Sequence, residues 1–363
     1  MPIDKLKIYL SLYGPKNSGW GVCGHYFEKE LSKIADLHVL REQGGAVAHA
    51  LLDGVLFQGL QGADFDPLAA ESRGRRNLGY VFFEKELTSN SMKNSARFDL
   101  VLAGSTWCLE RMREKGIENS DVLLQGIDPG IFYPIQEAAN PDRFVIFSGG
   151  KFELRKSQDL VLRALKIFQE RHSDVWLVNC WYNMWEPSVR MMESSQLIHF
   201  RFDPEQTWNE NMLRTYVQNG LDSDRILTCS LVPNEQLPRL YAQTDIGIFP
   251  NRCEGGTNLV MMEYMACGKP VIASNTSGHK DILTSENALC LNSLQDLTIV
   301  DPHGQTVCRW QEPSLDELLD QLEYAYSHRA AIADIGRSAG ETLKRFTWKS
   351  AAERLVGFIH ALS

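Results

Sequence analysis

The feature that most constrains the fold is an alternation of short apolar runs with amphipathic stretches, which recurs along the 363-residue chain. The apolar runs predict buried strands and the amphipathic stretches predict helices that cover them. Strands that alternate with helices are typical of a parallel sheet, so the sequence predicts α/β architecture. The predicted strands include KIYLSLYG (7–14), FDLVLAG (98–104), DVLLQGIDPGIFYP (121–134), FVIFSGG (144–150) and DRILTCSLV (224–232). The predicted helices include residues 19–35, 157–172 and 346–362.

One polar segment, IQEAANPDRF (135–144), interrupts the alternation, and we interpret it as a linker. The chain length fits two domains. We therefore predict a first Rossmann-like domain over 1–138, a second over 139–340, and a final segment over 341–363. Ligands of such sheets bind at the carboxyl ends of the strands, so we expect the site in a cleft between two facing domains.

Composition excludes several classes of function. The net charge is -9 with no long basic run, which argues against nucleic-acid binding through a basic face. The eight cysteines form no C-x-x-C pair, which favours reduced core thiols of a cytosolic protein over a zinc site. The start lacks a signal-peptide layout, and no apolar run is long enough to span a membrane. We expect a cytoplasmic protein and leave open peripheral contact with the inner face of a membrane.

A lone carboxylate, Glu263, lies in the otherwise apolar segment LVMMEYMACG (259–268). Because burying an unpaired carboxylate is costly, Glu263 must have a partner, reach water or take up a proton. The segment predicts a helix that begins near Thr257–Asn258 and ends before Gly268.

The loop before this helix contains Glu254, Gly255 and Gly256. Paired glycines let a backbone approach a ligand closely, and the free N–H groups of a helix start favour an anion. Two carboxylates beside an anion site fit a nucleotide diphosphate sugar, with one on the sugar and one on the ribose. The residues alone equally allow a plain turn with Glu263 reaching solvent.

A second candidate element is the loop FSGGKFELRKSQ (147–158). Gly150 ends a predicted strand, and Lys151, Arg155 and Lys156 follow it. Cations there would stabilise the charge that develops on a leaving diphosphate. The alternative is a solvated basic loop.

The stretch YAQTDIGIFPNRCEGGTNLVMMEYMACGKPVIAS (241–274) resembles the signature of retaining GT-B glycosyltransferases of the family-4 type, the glycosyl transferases group 1. The resemblance implies two facing Rossmann-like domains, a deep cleft and a C-terminal helix that returns to the first domain. It implies that Glu254 contacts the donor sugar and Glu263 the ribose, and that the amides of Thr257, Asn258 and Leu259 hold the diphosphate. This chain departs from the family pattern, because eight residues rather than seven separate Glu254 from Glu263.

The same resemblance assigns further residues. It places Lys151 on the donor phosphates and leaves open whether Arg155 or Lys156 is the second cation. It suggests Gly19 and Gly21, after the capping residue Ser18, against the phosphates. Donor-binding candidates on the nucleobase side are Val232, Asn234 and Leu237.

One position departs from the family pattern, and one short motif matches a different glycosyltransferase fold. Glu84 stands where many relatives have a functional His, and it either orients a substrate or forms a solvated pair with Lys85. Asp64-Phe65-Asp66 spells a metal motif of another glycosyltransferase fold, but chance explains it better in this loop. We expect no metal and no cofactor.

These assignments predict a retaining glycosyltransferase with a nucleotide diphosphate sugar donor and a carbohydrate, lipid-linked or small-molecule acceptor. Front-face transfer, in which the leaving phosphate takes the acceptor proton, would need no nucleophile-and-base pair. The alternative is a catalytically silent subunit that binds sugar nucleotides or a partner. The nucleobase, the sugar, the linkage, the acceptor and the oligomeric state are left open.

Overall fold

The computed structural model describes residues 5–12, 14, 18–40, 50–135, 140–229 and 231–362. Part of the predicted linker and the predicted boundary at 138/139 lie outside these residues, as does Tyr13 of the first predicted strand. Two parallel sheets of similar size dominate the described chain. We call the sheet of residues 7–122 with its helices the first unit, and the sheet of residues 144–291 with its helices the second unit.

The first unit contains a sheet of strand order β2-β1-β4-β7-β8-β9, in which all neighbours are parallel, and the short β5 pairs antiparallel with β4. Six of the seven residues of β4 are buried, as expected of a strand covered on both faces. The strands of this sheet are β1 Lys7–Ser11, β2 Asp36–Val39, β4 Val55–Gln61, β5 Asp66–Pro67, β7 Arg76–Val81, β8 Leu100–Ala103 and β9 Ser120–Val122. A separate two-stranded parallel sheet is formed by β3 Ala50–Leu51 and β6 Ser72–Arg73. The helices of the first unit are α1 Gly19–Ile34, α2 Ser89–Ser95 and α3 Thr106–Glu114.

The second unit contains a parallel sheet of order β12-β11-β10-β13-β14-β15. Alternate residues of β10 point to opposite faces, so Phe144 and Ile146 join one hydrophobic cluster while Val145 and Phe147 join another. Its strands are β10 Phe144–Gly150, β11 Val175–Trp181, β12 Ile226–Thr228, β13 Ile246–Phe249, β14 Val271–Ser274 and β15 Leu289–Leu291. Its helices are α4 Gln158–Arg171, α5 Glu186–Arg190, α6 Trp208–Gln218, α7 Leu237–Ala242 and α8 Leu259–Ala266.

An antiparallel hairpin and three helices complete the described chain. They are β16 Leu294–Val300, β17 Thr306–Pro313, α9 Leu315–Ser327, α10 Arg329–Leu343 and α11 Trp348–Ala361. Helix α11 packs on the first unit, where the Trp348 ring stacks on Tyr26 with centroids 5.3 Å apart. Just before α11 the chain passes close to Gly126, where a Cβ atom would lie 2.2 Å from the Trp348 nitrogen. The two segments that connect the units therefore lie side by side.

The α/β class with two Rossmann-like sheets is confirmed, but some predicted elements are wrong in extent. The predicted strand over 121–134 is a strand only at Ser120–Val122, because the chain then turns into the connection between the units. The predicted strand over 224–232 is reduced to Ile226–Thr228. Among the described residues no helix is both long and apolar enough to cross a membrane. The predicted domain boundaries stay a prediction.

Candidate active site

The centre of the candidate site is the loop between β13 and α8, at the carboxyl end of the second sheet. Glu254 in this loop is 5% exposed. Its Oε2 lies 2.9 Å from Arg155 Nη1, and its Oε1 accepts hydrogen bonds from Lys156 and Asn251. Burial alone would raise the pKa of Glu254, but the two cations more than offset it and hold that pKa below its usual value. Glu254 is therefore an ionised carboxylate.

The backbone of Glu254 is fixed as firmly as its side chain. Its N–H donates to Ser277 Oγ at 2.7 Å, and its carbonyl accepts from the Gly278 N–H at 3.0 Å. A Cβ atom on Gly278 would lie 1.7 Å from the Gly256 carbonyl oxygen, so this turn tolerates only glycine. The loop is thus preorganised by the turn that follows β14.

Arg155 and Lys156 lie in a short 3-10 turn after β10 and are both buried. Arg155 also donates to Glu153 Oε1 at 2.5 Å and to the Cys253 carbonyl at 2.8 Å. Burial lowers the pKa of Lys156, although the charge of Glu254 opposes the effect. The structure therefore brings both candidates for the second cation onto one carboxylate.

Lys151 lies apart from this cluster. Its side chain is 43% exposed, and its Nζ is 3.7 Å from Glu153 Oε2 and 5.0 Å from the centre of the Trp185 ring. Gly150 precedes it in the left-handed region with φ +116°, a conformation that favours glycine. A Cβ atom there would lie 3.2 Å from the Lys156 side chain, so Gly150 also leaves room for Lys156.

The paired glycines are needed because the first unit approaches them closely. A Cβ atom on Gly255 would lie 2.5 Å from the Phe83 carbonyl oxygen, and one on Gly256 would lie 2.6 Å from Gln125 Oε1. The Gly255 carbonyl accepts from Ser105 Oγ at 2.8 Å. The loop is therefore a contact between the two units.

Two side chains of the first unit accept hydrogen bonds from amides of this loop. The Gly255 N–H donates to Glu84 Oε1 at 3.3 Å, and the Thr257 N–H and hydroxyl both donate to Gln125 Oε1 at 3.3 Å. Glu84 also lies 3.5 Å from Arg155 Nη1. Glu84 thus reaches across to the Glu254 cluster. Gln125 has no motif that would mark it in the sequence, and its contact with Thr257 was not predicted.

Asn258 caps the start of helix α8, adopts φ +61° and accepts a hydrogen bond from the Met261 N–H at 3.4 Å. Asparagine tolerates this left-handed conformation better than most residues. The Asn258 amide donates to His279 Nε2 at 3.1 Å, and His279 Nδ1 lies 3.0 Å from the Ser274 carbonyl. Burial lowers the pKa of His279 to about 4, so a neutral imidazole holds Asn258.

Glu263 follows on α8 and is 6% exposed. Burial raises its pKa to about 8. Its nearest polar partner is Asn234 Nδ2 at 3.5 Å from Oε1, and Glu263 forms no ion pair with any residue that the structure describes. Glu263 is therefore a protonated or weakly satisfied carboxyl group, ready for a partner that donates hydrogen bonds.

The other predicted donor-binding residues surround this centre at different distances. Asn234 contacts Glu263, Leu237 is buried beside it in the same cluster as α8, and Val232 is half-buried at the edge of that cluster. Leu259 contacts the cores of both units.

Gly19 and Gly21 form the first turn of α1, where the Gly21 N–H donates to Ser18 Oγ at 3.1 Å. Between them, Trp20 packs edge-on against Phe82, whose ring would lie 3.0 Å from a Cβ atom on Gly256. Trp20 and Phe82 therefore connect this turn to the central loop.

The Asp64-Phe65-Asp66 motif makes structural contacts within the first unit. Asp64 Oδ1 accepts from Thr88 Oγ1 at 2.5 Å and from Asn90 Nδ2 at 3.3 Å. Phe65 is fully buried with φ +60°. The described residues contain no group of three or more His, Cys, Asp or Glu side chains that could hold a metal ion.

Comparison with known proteins places part of this chain near a described family. Residues 132–296 match the family model described as Glycosyl transferases group 1. A D-inositol 3-phosphate glycosyltransferase of Segniliparus rotundus is 23% identical over 248 residues, which are 66% of this chain and 46% of that protein. The O-antigen chain mannosyltransferase B of Escherichia coli is 33% identical over 76 residues, which are 21% of this chain and 20% of that protein. The chain thus spans about half or less of the length of these curated relatives.

Solved structures share the whole fold at low sequence identity. The sucrose-phosphate synthase of Thermosynechococcus elongatus has a TM-score of 0.69 at 14% identity and covers 99% of both chains. The Anabaena protein Alr3699/HepE, solved in complex with UDP and glucose, has a TM-score of 0.64 at 13% identity and covers 98% of this chain and 99% of its own. These similarities confirm the predicted GT-B arrangement of two Rossmann-like units.

Proposed function

We propose that this protein is a retaining glycosyltransferase of the group 1 type, which moves a sugar from a nucleotide diphosphate sugar to an acceptor. The observation that carries the proposal is that two buried glutamates, one in the loop before α8 and one on α8, are in opposite electrostatic states. Glu254 is ionised between Arg155 and Lys156, whereas Glu263 has a raised pKa and no cationic partner among the residues that the structure describes. The match to the group 1 family model and the names of the relatives support the same reaction class.

In the proposed complex, the nucleotide lies along α8 of the second unit. Glu263 accepts hydrogen bonds from the ribose diol, and Val232, Asn234 and Leu237 contact the nucleobase. The N–H groups at the start of α8 face the diphosphate, where a helix start favours negative charge. Glu254 holds hydroxyl groups of the sugar.

Catalysis in this proposal rests on charge and position. Lys151, Arg155 and Lys156 stabilise the negative charge that grows on the leaving diphosphate as the glycosidic bond breaks. The acceptor oxygen attacks from the same face, and its proton passes to the leaving phosphate. Glu254 is engaged by two cations, which suits a role in holding hydroxyls better than that of a free base. Glu84 orients the sugar from the first unit.

The second candidate is a catalytically silent subunit that binds sugar nucleotides. One observation favours it: the Gly255 N–H already donates to Glu84, and the Thr257 N–H to Gln125, so both groups are satisfied by the protein itself. An active enzyme must release these contacts when the donor binds. A silent subunit would keep them.

The experiment that separates the two is a donor panel without acceptor. The purified protein is incubated with UDP, GDP and ADP sugars, and free nucleoside diphosphate is followed over hours. The proposal predicts slow hydrolysis of one donor class, with ligand-dependent thermal stabilisation by the same nucleotide. Stabilisation without any release of nucleoside diphosphate would support the silent subunit. If the protein shows neither stabilisation nor release, both candidates are rejected.

A further inference from the structure

A cavity of about 370 Å³ lies near the connection between the two units, outside the donor site proposed above. Its walls come from the start of α3, from the segment after β9, and from the chain around the start of α11. The size lies in the range of about 300–1,000 Å³ that small-molecule sites occupy. The residues that carry the argument are Thr106, Gln125, Arg345, Thr347, Ser350 and Arg354.

Two guanidinium groups give this cavity a positive character. Arg345 stacks on the Phe346 ring at 5.0 Å and forms no ion pair with any residue in the described part of the chain. Arg354 donates to the Val122 carbonyl at 3.2 Å, and its closest carboxylate oxygen, on Asp121, is 3.7 Å away. In a chain of net charge -9, such a pair of weakly neutralised arginines at one cavity favours an anionic ligand.

The remaining lining residues offer partners for hydroxyl groups. Thr347 and Ser350 carry hydroxyls that lie 2.9 Å from each other, and Thr106 adds a third. Phe346 and Ala351 supply apolar surface. A molecule that combines hydroxyl groups with a phosphate could form hydrogen bonds with both the arginines and the hydroxyl side chains.

The cavity is connected to the candidate active site by one side chain. Gln125 lines the cavity, and its Oε1 accepts hydrogen bonds from the backbone and hydroxyl of Thr257 at 3.3 Å. Thr106 likewise lines the cavity, while its N–H donates to Asp281 Oδ2 of the second unit at 2.8 Å. A ligand here would therefore lie beside Gln125, the side chain that contacts Thr257 of the central loop.

We propose that this cavity binds the acceptor, a small hydroxylated molecule that carries a phosphate group, with Arg345 and Arg354 on the phosphate. The acceptor role rests on the proposed glycosyltransferase function, whereas the binding of a phosphate ester does not. Arg345 is the better position to change, because its guanidinium holds no described residue in place. Arg354 also supports the Val122 carbonyl.

The test measures binding and turnover separately. Calorimetry compares glucose 6-phosphate, mannose 6-phosphate and glycerol 3-phosphate with glucose, mannose and glycerol in the wild type, Arg345→Ala and Arg345→Lys. Arg113→Ala is the matched control, because Arg113 is exposed in the last turn of α3, away from the cavity. UDP, GDP and ADP are titrated into every variant to check the donor site.

We expect at least one phosphate ester to bind the wild type and the control alike, more tightly than its parent. Arg345→Ala should weaken that binding about ten-fold or more, since hydrogen bonds to charged groups are the strong ones. Arg345→Lys should recover part of the loss, and nucleotide affinity should not change. No binding by any ester, or equal binding by Arg345→Ala, would overturn the cavity as a phosphate site.

Turnover then decides the acceptor role. The bound ester should become glycosylated and should speed release of nucleoside diphosphate by the wild type but not by Arg345→Ala. Binding that depends on Arg345 without any transfer to the ester, in a protein that hydrolyses its donor, would overturn the acceptor role and leave the proposed function standing. A protein that binds the ester but hydrolyses no donor would instead refute the proposed function and, with it, the acceptor role.

Discussion

Glu254 and Glu263 are equally buried on either side of the α8 start, yet their pKa values shift in opposite directions. Arg155 and Lys156 hold the pKa of Glu254 low, whereas burial without a cation raises the pKa of Glu263 to about 8. The difference follows from chain position, because only the loop residue meets the basic turn after β10. The two carboxyl groups therefore offer different chemistry to one ligand, a fixed anion and a group that can change its charge.

The raised pKa of Glu263 predicts a pH-dependent stability. The pKa of Glu263 in the folded protein, about 8, lies above the ordinary value of 4.5. Between these two pH values the folded protein keeps a proton on Glu263 that the unfolded chain has lost. This contribution is fully present below about pH 4.5 and is lost as pH rises through about 8. Glu263→Gln should remove the slope. The check is urea unfolding of both proteins between about pH 5 and pH 8, where a constant difference in unfolding free energy would contradict the assignment.

Donor binding should draw the proton off Glu263. Hydroxyl groups that donate to a carboxylate favour its charged form, so binding near pH 7 should release a proton to the buffer. Calorimetry in buffers of different ionisation enthalpy measures this release directly. Glu263→Ala should abolish it and weaken nucleotide binding by roughly 1.5–3 kcal/mol. Full affinity and full proton release in Glu263→Ala would show that Glu263 is not a ribose ligand.

The close approach at Gly255 makes a steric prediction. In Gly255→Ala the new methyl group would meet the Phe83 carbonyl at 2.5 Å, so the two units must separate locally. We expect a fall in thermal stability and a large loss of transfer activity. Gly357→Ala in α11 is the matched control, because a Cβ atom on Gly357 meets nothing within 4 Å. Equal behaviour of the two variants would mean that the contact between Gly255 and Phe83 carries no weight.

Helix α8 and its lone carboxylate could be predicted because the signal is local. One charge in an apolar stretch, with glycines before and after it, fixes the element and draws attention to Glu263. The same reasoning fails at 121–134, where apolar residues suggest a strand but the chain leaves the sheet after Val122.

Contacts that join distant parts of the chain leave no such local signal. Glu84 meets the Gly255 N–H across 171 positions, and Arg252 binds Asp159 and Glu312 in the core of the second unit. Nothing in the local sequence around any of these residues distinguishes it from other polar residues. Only the packing of the two sheets brings them together, so local periodicity could not predict them.

Another prediction concerns a pair of thiols on neighbouring strands. Cys180 and Cys229 follow the register pair Asn179 and Thr228, so they lie on neighbouring strands. Hydrogen bonding from the Cys180 thiol lowers the pKa of the half-buried Cys229 to about 7. Because the thiolate is the reactive form, Cys229 should be alkylated fastest among the described cysteines at neutral pH, with a rate that rises through about pH 7. Mass spectrometry after a short iodoacetamide pulse identifies the site.

Three variants test this thiol prediction: Cys180→Ala, Cys180→Ser and Cys290→Ser. Cys180→Ala removes the donor to Cys229, so it should move the pH midpoint of the Cys229 alkylation rate upward towards the ordinary pKa of 9.0. Cys180→Ser should change the midpoint less, because a serine hydroxyl can still donate to Cys229. Cys290 is also half-buried but lies elsewhere on β15, so its replacement should leave the midpoint unchanged. A midpoint near 9.0 in the wild type would refute the hydrogen-bonded pair.

The most direct test of the central claim is steady-state kinetics of Lys151→Ala with saturating acceptor and varied donor. Lys151 is exposed, so its removal should change stability by no more than about 0.5 kcal/mol, unlike removal of buried Lys156. If the cations stabilise the leaving diphosphate, kcat should fall about ten-fold or more while KM for the donor rises less. Lys85→Ala, an exposed control on the first unit, should match the wild type. An unchanged kcat in Lys151→Ala would contradict the account.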